Sequence, residues 1–112
     1  MDQPHPAIDL ASMQAAAAQA CTLLKVLANP DRLLLMCRLS QGELSVGELE
    51  EQLGIRQPTL SQQLGVLREN SVVATRRDGK NIFYSVASPQ ALAVMAVLYE
   101  QFCANPDQEA TC

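Results

Sequence analysis

From Asp9 to Ala28 the residues Leu10, Met13, Ala17, Ala20, Leu24 and Leu27 recur at alternating steps of three and four. That spacing draws one apolar stripe along a helix, and its alanines allow another helix to come close. Asn29-Pro30 stops this helix and opens a second, because asparagine caps a helix and proline suits its first position. The second helix carries Leu33, Leu34, Leu35, Met36, Cys37 and Leu39 and ends near Gly42. Apolar on most sides, it is predicted to be central. Ser45-Val46-Gly47-Glu48 is a capping-box pattern, so a third helix runs to Leu53, with Gly54 as its stop. Pro58 opens a fourth, whose buried stripe is Leu60, Leu64 and Leu67. Val72–Arg76 and Ile82–Val86 read as two short strands, with Asp78-Gly79 between them as a hairpin signal. Ser88-Pro89 opens a last helix that reaches about Cys103.

Two helices joined by Gly54-Ile55-Arg56-Gln57 read as helix-turn-helix, and the hairpin behind them as a wing. The predicted fold class is mainly α with a small β-hairpin (α+β), a winged helix-turn-helix. One domain spans residues 9–104, between a flexible N-terminus (1–8) and a flexible C-terminal tail (105–112). At 112 residues the chain holds one core. Its 48% hydrophobic and 18% charged content excludes disorder by composition. The last helix is apolar on two faces: Leu92, Met95, Tyr99 and Phe102 on one, Ala91, Val94 and Leu98 on the other. One small core does not need both. A homodimer interface of Met13, Ala17, Ala20, Leu24, Leu92, Met95, Leu98 and Tyr99 is therefore expected.

Charge changes the picture in one place. The net charge is −4, which disfavours a polyanion as partner. Yet from Arg56 to Asn81 five cations meet two anions, a local +3 against −7 for the remainder. Local charge decides where DNA docks. With Leu60, Leu64 and Leu67 inward, Thr59, Gln62, Gln63 and Val66 are predicted to face outward, with Ser61 on the flank. Gln57 stands at the helix entrance. Glutamine pairs with adenine in bidentate fashion, and Ser or Thr bonds base edges or phosphates. Arg56, Arg68, Arg76, Arg77 and Lys80 are expected on phosphates or in the groove near the wing tip. Double-stranded operator DNA is the expected partner.

The start, Met1 to Pro6, has no Lys or Arg and so lacks the positive region of a secretory signal. The uncharged stretch from Leu10 to Leu24 looks too short and polar to span a bilayer. The expected location is cytoplasmic, with no membrane partner and with Cys21, Cys37, Cys103 and Cys112 reduced. No C-x-x-C pair is present.

The run Leu24-Lys25-Val26-Leu27-Ala28-Asn29-Pro30-Asp31-Arg32 resembles the L-x-x-L-x-x-P-x-R opening of the ArsR/SmtB family of bacterial repressors. Glu43 to Leu49 is similar to its third helix, and Gln57 to Arg68 to its recognition helix. The resemblance covers roughly Ala16 to Cys103. It implies a homodimeric winged-helix repressor released from its operator by a chemical inducer.

Many relatives sense metals. The thiolate type implies a C-x-C pair where this chain has Ser45 and Gly47. The histidine-carboxylate type uses the last helix, which here has only Glu100; the one histidine is His5. Zinc or arsenic sensing is disfavoured, and no metal or cofactor is expected. Cys37 and Cys103 instead resemble the sulfide-responsive subgroup, in which persulfides or polysulfides join one cysteine from each of these helices through sulfur. Reactive sulfur species are thus the implied inducer. A pair too far apart for a plain disulfide would favour a link with inserted sulfur. Cys21 is read as a packing residue and Cys112 has no assigned role. A general thiol-redox repressor, a metal sensor using Cys37, Cys103 and perhaps Cys21, and a switchless DNA-binding module remain open. A thiol enzyme is disfavoured, because no histidine, phosphate loop or acid/base set accompanies a cysteine.

Overall fold

A computed structural model describes residues 9–104. The expectations for 1–8 and 105–112, including His5 and Cys112, lie outside the described residues. The elements are α1 (Leu10–Leu27), α2 (Pro30–Leu39), β1 (Leu44–Ser45), α3 (Val46–Leu53), α4 (Thr59–Glu69), β2 (Val73–Asp78), β3 (Asn81–Val86) and α5 (Pro89–Phe102). This is a winged helix-turn-helix of α+β class, as the pattern predicted. The one added element is β1.

Four helices begin on a side chain that accepts an otherwise unpaired backbone N–H: Asp9, Asn29, Ser45 and Ser88. At Ser45 the capping box is complete, since Glu48 also accepts from the Ser45 N–H. Gly54 ends α3 at φ +71, a left-handed conformation that favours glycine. Pro58 is the cap of α4 rather than its first residue, and it has no side-chain acceptor. Gln57 supplies one instead: its Oε1 accepts from the Ser61 N–H at 3.1 Å.

The core is centred on α2, which packs on α1, α3, α4, α5 and β3. Leu35, Met36, Leu49, Leu60, Leu64 and Leu67 are fully buried. Burying each leucine contributes about 1.5–3 kcal/mol. The sheet order is β1-β3-β2, all antiparallel. Asp78 pairs with Asn81, so the wing turns in two residues, and the strands are longer than predicted. Gly79, at φ +64, takes the first central position.

One expectation about the helices is corrected. On α5 the inward face is Ala91 and Met95, with Val94 and Leu98 half-buried, while Leu92, Tyr99 and Phe102 are exposed. Met95 therefore belongs to the core and not to an open interface. The helix is apolar all round, so periodicity alone did not separate its faces. α1, at 18 residues, just meets the length and apolarity of a membrane span, as an apolar helix that faces another protein surface also does.

Candidate DNA-reading surface and cysteine cavity

Burying Leu60, Leu64 and Leu67 turns the opposite side of α4 to solvent. Ser61, Gln62 and Arg68 are exposed there, and Arg56 and Gln57 are exposed just before the helix. Thr59, Gln63 and Val66 are only half-exposed. Val66 packs against the core and is corrected from an outward position. Its place between Leu64 and Leu67 puts it on the edge of the buried stripe.

The glutamines differ. Gln57 Oε1 accepts from both the backbone N–H and the hydroxyl of Ser61, the latter at 2.6 Å. Gln63 Oε1 accepts from Nη1 of Arg32 at 2.7 Å. The Arg32 guanidinium also donates to the carbonyls of Lys25 and Val26 at the end of α1. A cation there suits the negative end of the helix dipole. Gln62 makes no side-chain hydrogen bond among the described residues.

The wing has two kinds of cation. Arg77 and Lys80 are exposed and make no ion pair among the described residues, and the same holds for Arg56 and Arg68. Arg76 is different. Its Nε and Nη2 bond both carboxylate oxygens of Glu43 at 2.8 and 2.7 Å, and its guanidinium lies 4.6 Å from the centre of the Phe83 ring. The hydrogen bond from Arg76 holds the Glu43 carboxyl below its ordinary value and raises Arg76 in turn. Arg76 is thus corrected from an open phosphate ligand to a clamp that ties β2 to the segment entering β1. A bidentate carboxylate already satisfies it.

Cys37 and Cys103 line one apolar cavity of about 290 Å³, together with Leu33, Leu34, Leu98 and Phe102. Cys37 is a free, half-buried thiol. Cys103, at 7% exposure, is disulfide-bonded. Cys21 is exposed, so it does not pack within a single chain. Among the described residues no three of His, Cys, Asp and Glu converge as metal ligands would.

The model for the "bacterial regulatory protein, arsR family" matches residues 29–75, which run from the cap of α2 into β2. The "Biofilm growth-associated repressor" of Agrobacterium fabrum is 57% identical over 97 residues, 87% of this chain and 83% of that one. The chain belongs to the ArsR family. The likeness of this ArsR-family member to its relatives extends beyond the helix-turn-helix to α1, β3 and α5. The repressor BigR of Xylella fastidiosa superimposes with TM-score 0.79 at 51% identity, covering 88% of this chain and 100% of that one. Reduced HlyU of Vibrio cholerae gives 0.81 at 39% identity, covering 84% and 99%. A V. cholerae relative 38% identical, covering 86% of this chain and 89% of that one, is named "Transcriptional activator HlyU".

In this ArsR-family chain an exposed apolar surface lies away from the reading head. Every residue of α1 from Leu10 to Thr22 is exposed, and Leu10 (67%), Met13 and Leu24 are apolar. α1 and α5 leave an open groove of about 550 Å³, lined by Ala16, Ala20, Leu23, Val26 and Val94 among others. Of the expected interface residues, Met13, Ala17, Ala20, Leu24, Leu92 and Tyr99 are exposed and Leu98 is half-buried. Sequence reasoning missed Arg32 and Glu43 as organisers of the site. Arg32 carried a signal, as the last residue of the L-x-x-L-x-x-P-x-R run. Glu43, 33 positions from its partner, carried none.

Proposed function

We propose that this chain is a homodimeric transcriptional repressor, not an enzyme, that works on operator DNA in the cytoplasm. Its α4 enters the major groove, and reactive sulfur species release it by joining Cys37 to Cys103. Membership of the ArsR family and the unpaired cations flanking α4 support the DNA-binding part. The relatives named repressors support the sign of regulation. Two such heads serve half-sites about 34 Å apart, which is why the joint between chains matters. The apolar faces of α1 and α5 supply that joint, and small residues such as Ala17 and Ala20 let two helices approach closely.

The observation that carries the inducer is that Cys37 and Cys103 share one apolar cavity. The reaction starts from the dithiol form, in which the thiol pool of a reducing cytoplasm has reduced the disulfide at Cys103 and is itself oxidised to a disulfide. The Cys37 thiolate attacks a polysulfide, taking two sulfur atoms and expelling the shortened polysulfide. The Cys103 thiolate then attacks the middle sulfur of Cys37–S–S–SH and expels hydrosulfide. A trisulfide remains, and the sulfane sulfur has been the oxidant. The link fastens α2 to the end of α5 and biases the joint between the two heads.

A second reading, a general thiol-redox repressor, draws on the disulfide already present at Cys103. One experiment separates the two. Fully reduced protein is treated with polysulfide or peroxide, followed by peptide mass spectrometry and operator-binding titration. A Cys37–Cys103 link with extra sulfur, and loss of binding only after polysulfide, is the expected result. A plain disulfide with either oxidant favours the second reading. No link between the two residues after polysulfide overturns the reactive-sulfur reading, and unchanged operator binding after peroxide overturns the second.

A further inference from the structure

We propose that Arg32, which lies outside the DNA-facing set, is a specificity-determining positioning residue that holds the Gln63 amide by its oxygen and biases it toward donating to DNA. The inference rests on the reading that α4 docks in the major groove. A guanidinium has five N–H donors and no acceptor. The atom of Gln63 that meets Nη1 of Arg32 at 2.7 Å must therefore be the carbonyl oxygen. The NH2 half of the amide is left for DNA. Bidentate recognition of adenine needs both halves: the oxygen accepts from N6 while the nitrogen donates to N7. With its oxygen held by a cation and one lone pair already used, Gln63 is biased toward an edge that only accepts, such as guanine N7 and O6, or a phosphate oxygen.

The same logic applies to Gln57, whose oxygen receives the Ser61 backbone N–H, a group that can only donate. Gln62, by contrast, is exposed with both halves of its amide open. Three glutamines of identical chemistry thus become one open two-sided reader and two whose oxygens are already engaged, which favours donation. Arg32 is itself held, since it also donates to the carbonyls of Lys25 and Val26 and its own backbone N–H bonds the Asn29 side chain. Its direction is set by the α1–α2 corner, so Gln63 has no say in which half it offers.

The test is base preference at every position of an operator obtained by selection from random DNA, measured for the wild type and for Arg32→Met, Gln63→Glu, Gln63→Ala and Gln62→Ala. Arg32→Met frees the Gln63 oxygen. At one half-site position, preference is expected to move toward adenine by about tenfold, within the 1–3 kcal/mol of a good bidentate pair. Gln63→Glu keeps an acceptor for Arg32 but has no N–H, and is expected to move the same position toward cytosine, whose N4 donates. A merely structural Arg32 would weaken binding to all sequences alike and leave the profile unchanged. That result, in a folded Arg32→Met, overturns the inference. If Arg32→Met does not fold, an unchanged profile for Gln63→Ala overturns it. Gln62→Ala is the control for docking. If that variant and every other share the wild-type profile, α4 does not read bases and the docking reading falls. If Gln62→Ala alone alters the profile, docking stands and only the role of Arg32 is lost.

Discussion

The reading head and the α1/α5 side are built on opposite principles. In the head, polar side chains are tied down inside one chain: Gln57 to Ser61, Gln63 to Arg32, and Arg76 to Glu43. On the other side, Leu10, Met13, Leu24 and Leu92 point into solvent with nothing to meet. A polar surface that must recognise a fixed partner gains from being set before contact, because ordering each long side chain on binding costs about 0.5–1.5 kcal/mol. An apolar surface cannot be set that way. Its driving force is water released on burial, which exists only when a second surface arrives.

The contrast can be broken most forcefully from the apolar side. Leu24→Asp with Leu92→Asp is expected to give a folded monomer by sedimentation. Operator affinity then falls by about 10²-fold or more as the benefit of two linked heads disappears. A dimer that survives both charges would mean the joint lies elsewhere. Next in size is Leu64→Ala, beneath the head. Its fully buried side chain makes a loss of about 2–5 kcal/mol the expected urea-unfolding result. A loss below 1 kcal/mol would show that α4 is not anchored by its leucine stripe.

Two smaller tests sharpen the difference between tied and open cations. Arg77→Ala is expected to reduce the slope of log affinity against log salt by about 0.9 per head, or about 1.8 for the proposed dimer. Arg76→Ala, already paired with Glu43, should change that slope little, and equal changes would remove the distinction. The smallest effect concerns pH. Glu43 is held below its ordinary 4.5 by Arg76, so it binds its proton less readily in the folded chain. The clamp is complete at neutral pH and is lost only as pH falls through that lowered value. The Arg76 Nε–H resonance should therefore hold steady down to about pH 4.5 and shift below it. A shift centred near neutrality would contradict the pairing.

Local signals were readable in the chain to the extent that they acted locally. Asn29-Pro30, Ser45 with Glu48, Gly54 and Ser88-Pro89 mark helix ends through contacts three or four residues long, and each end lies where they place it. β1 was not readable, because two residues become a strand only when Leu44 meets Tyr84 and Ser45 meets Phe83. The candidate site divides the same way. Exposed Gln62, Arg77 and Lys80 follow from the leucine stripe and the hairpin signal. The partners that engage Arg76 and Gln63 stand 33 and 31 positions away. The bond at Cys103 likewise depends on where the folded chain brings sulfur, which no spacing rule states.

The exposure of α1 has a consequence for the order of synthesis. This helix is made before the elements it packs on, and only Leu23, Val26 and Leu27 near its far end reach the core they form. The rest of its apolar stripe is exposed among the described residues. In the proposed dimer its burial waits on a second copy, and the wait shortens as copies accumulate. The stability of the folded protein then rises with its own abundance, by mass action. A cell that makes little of it holds mostly half-finished molecules, and one that makes more completes each chain with another.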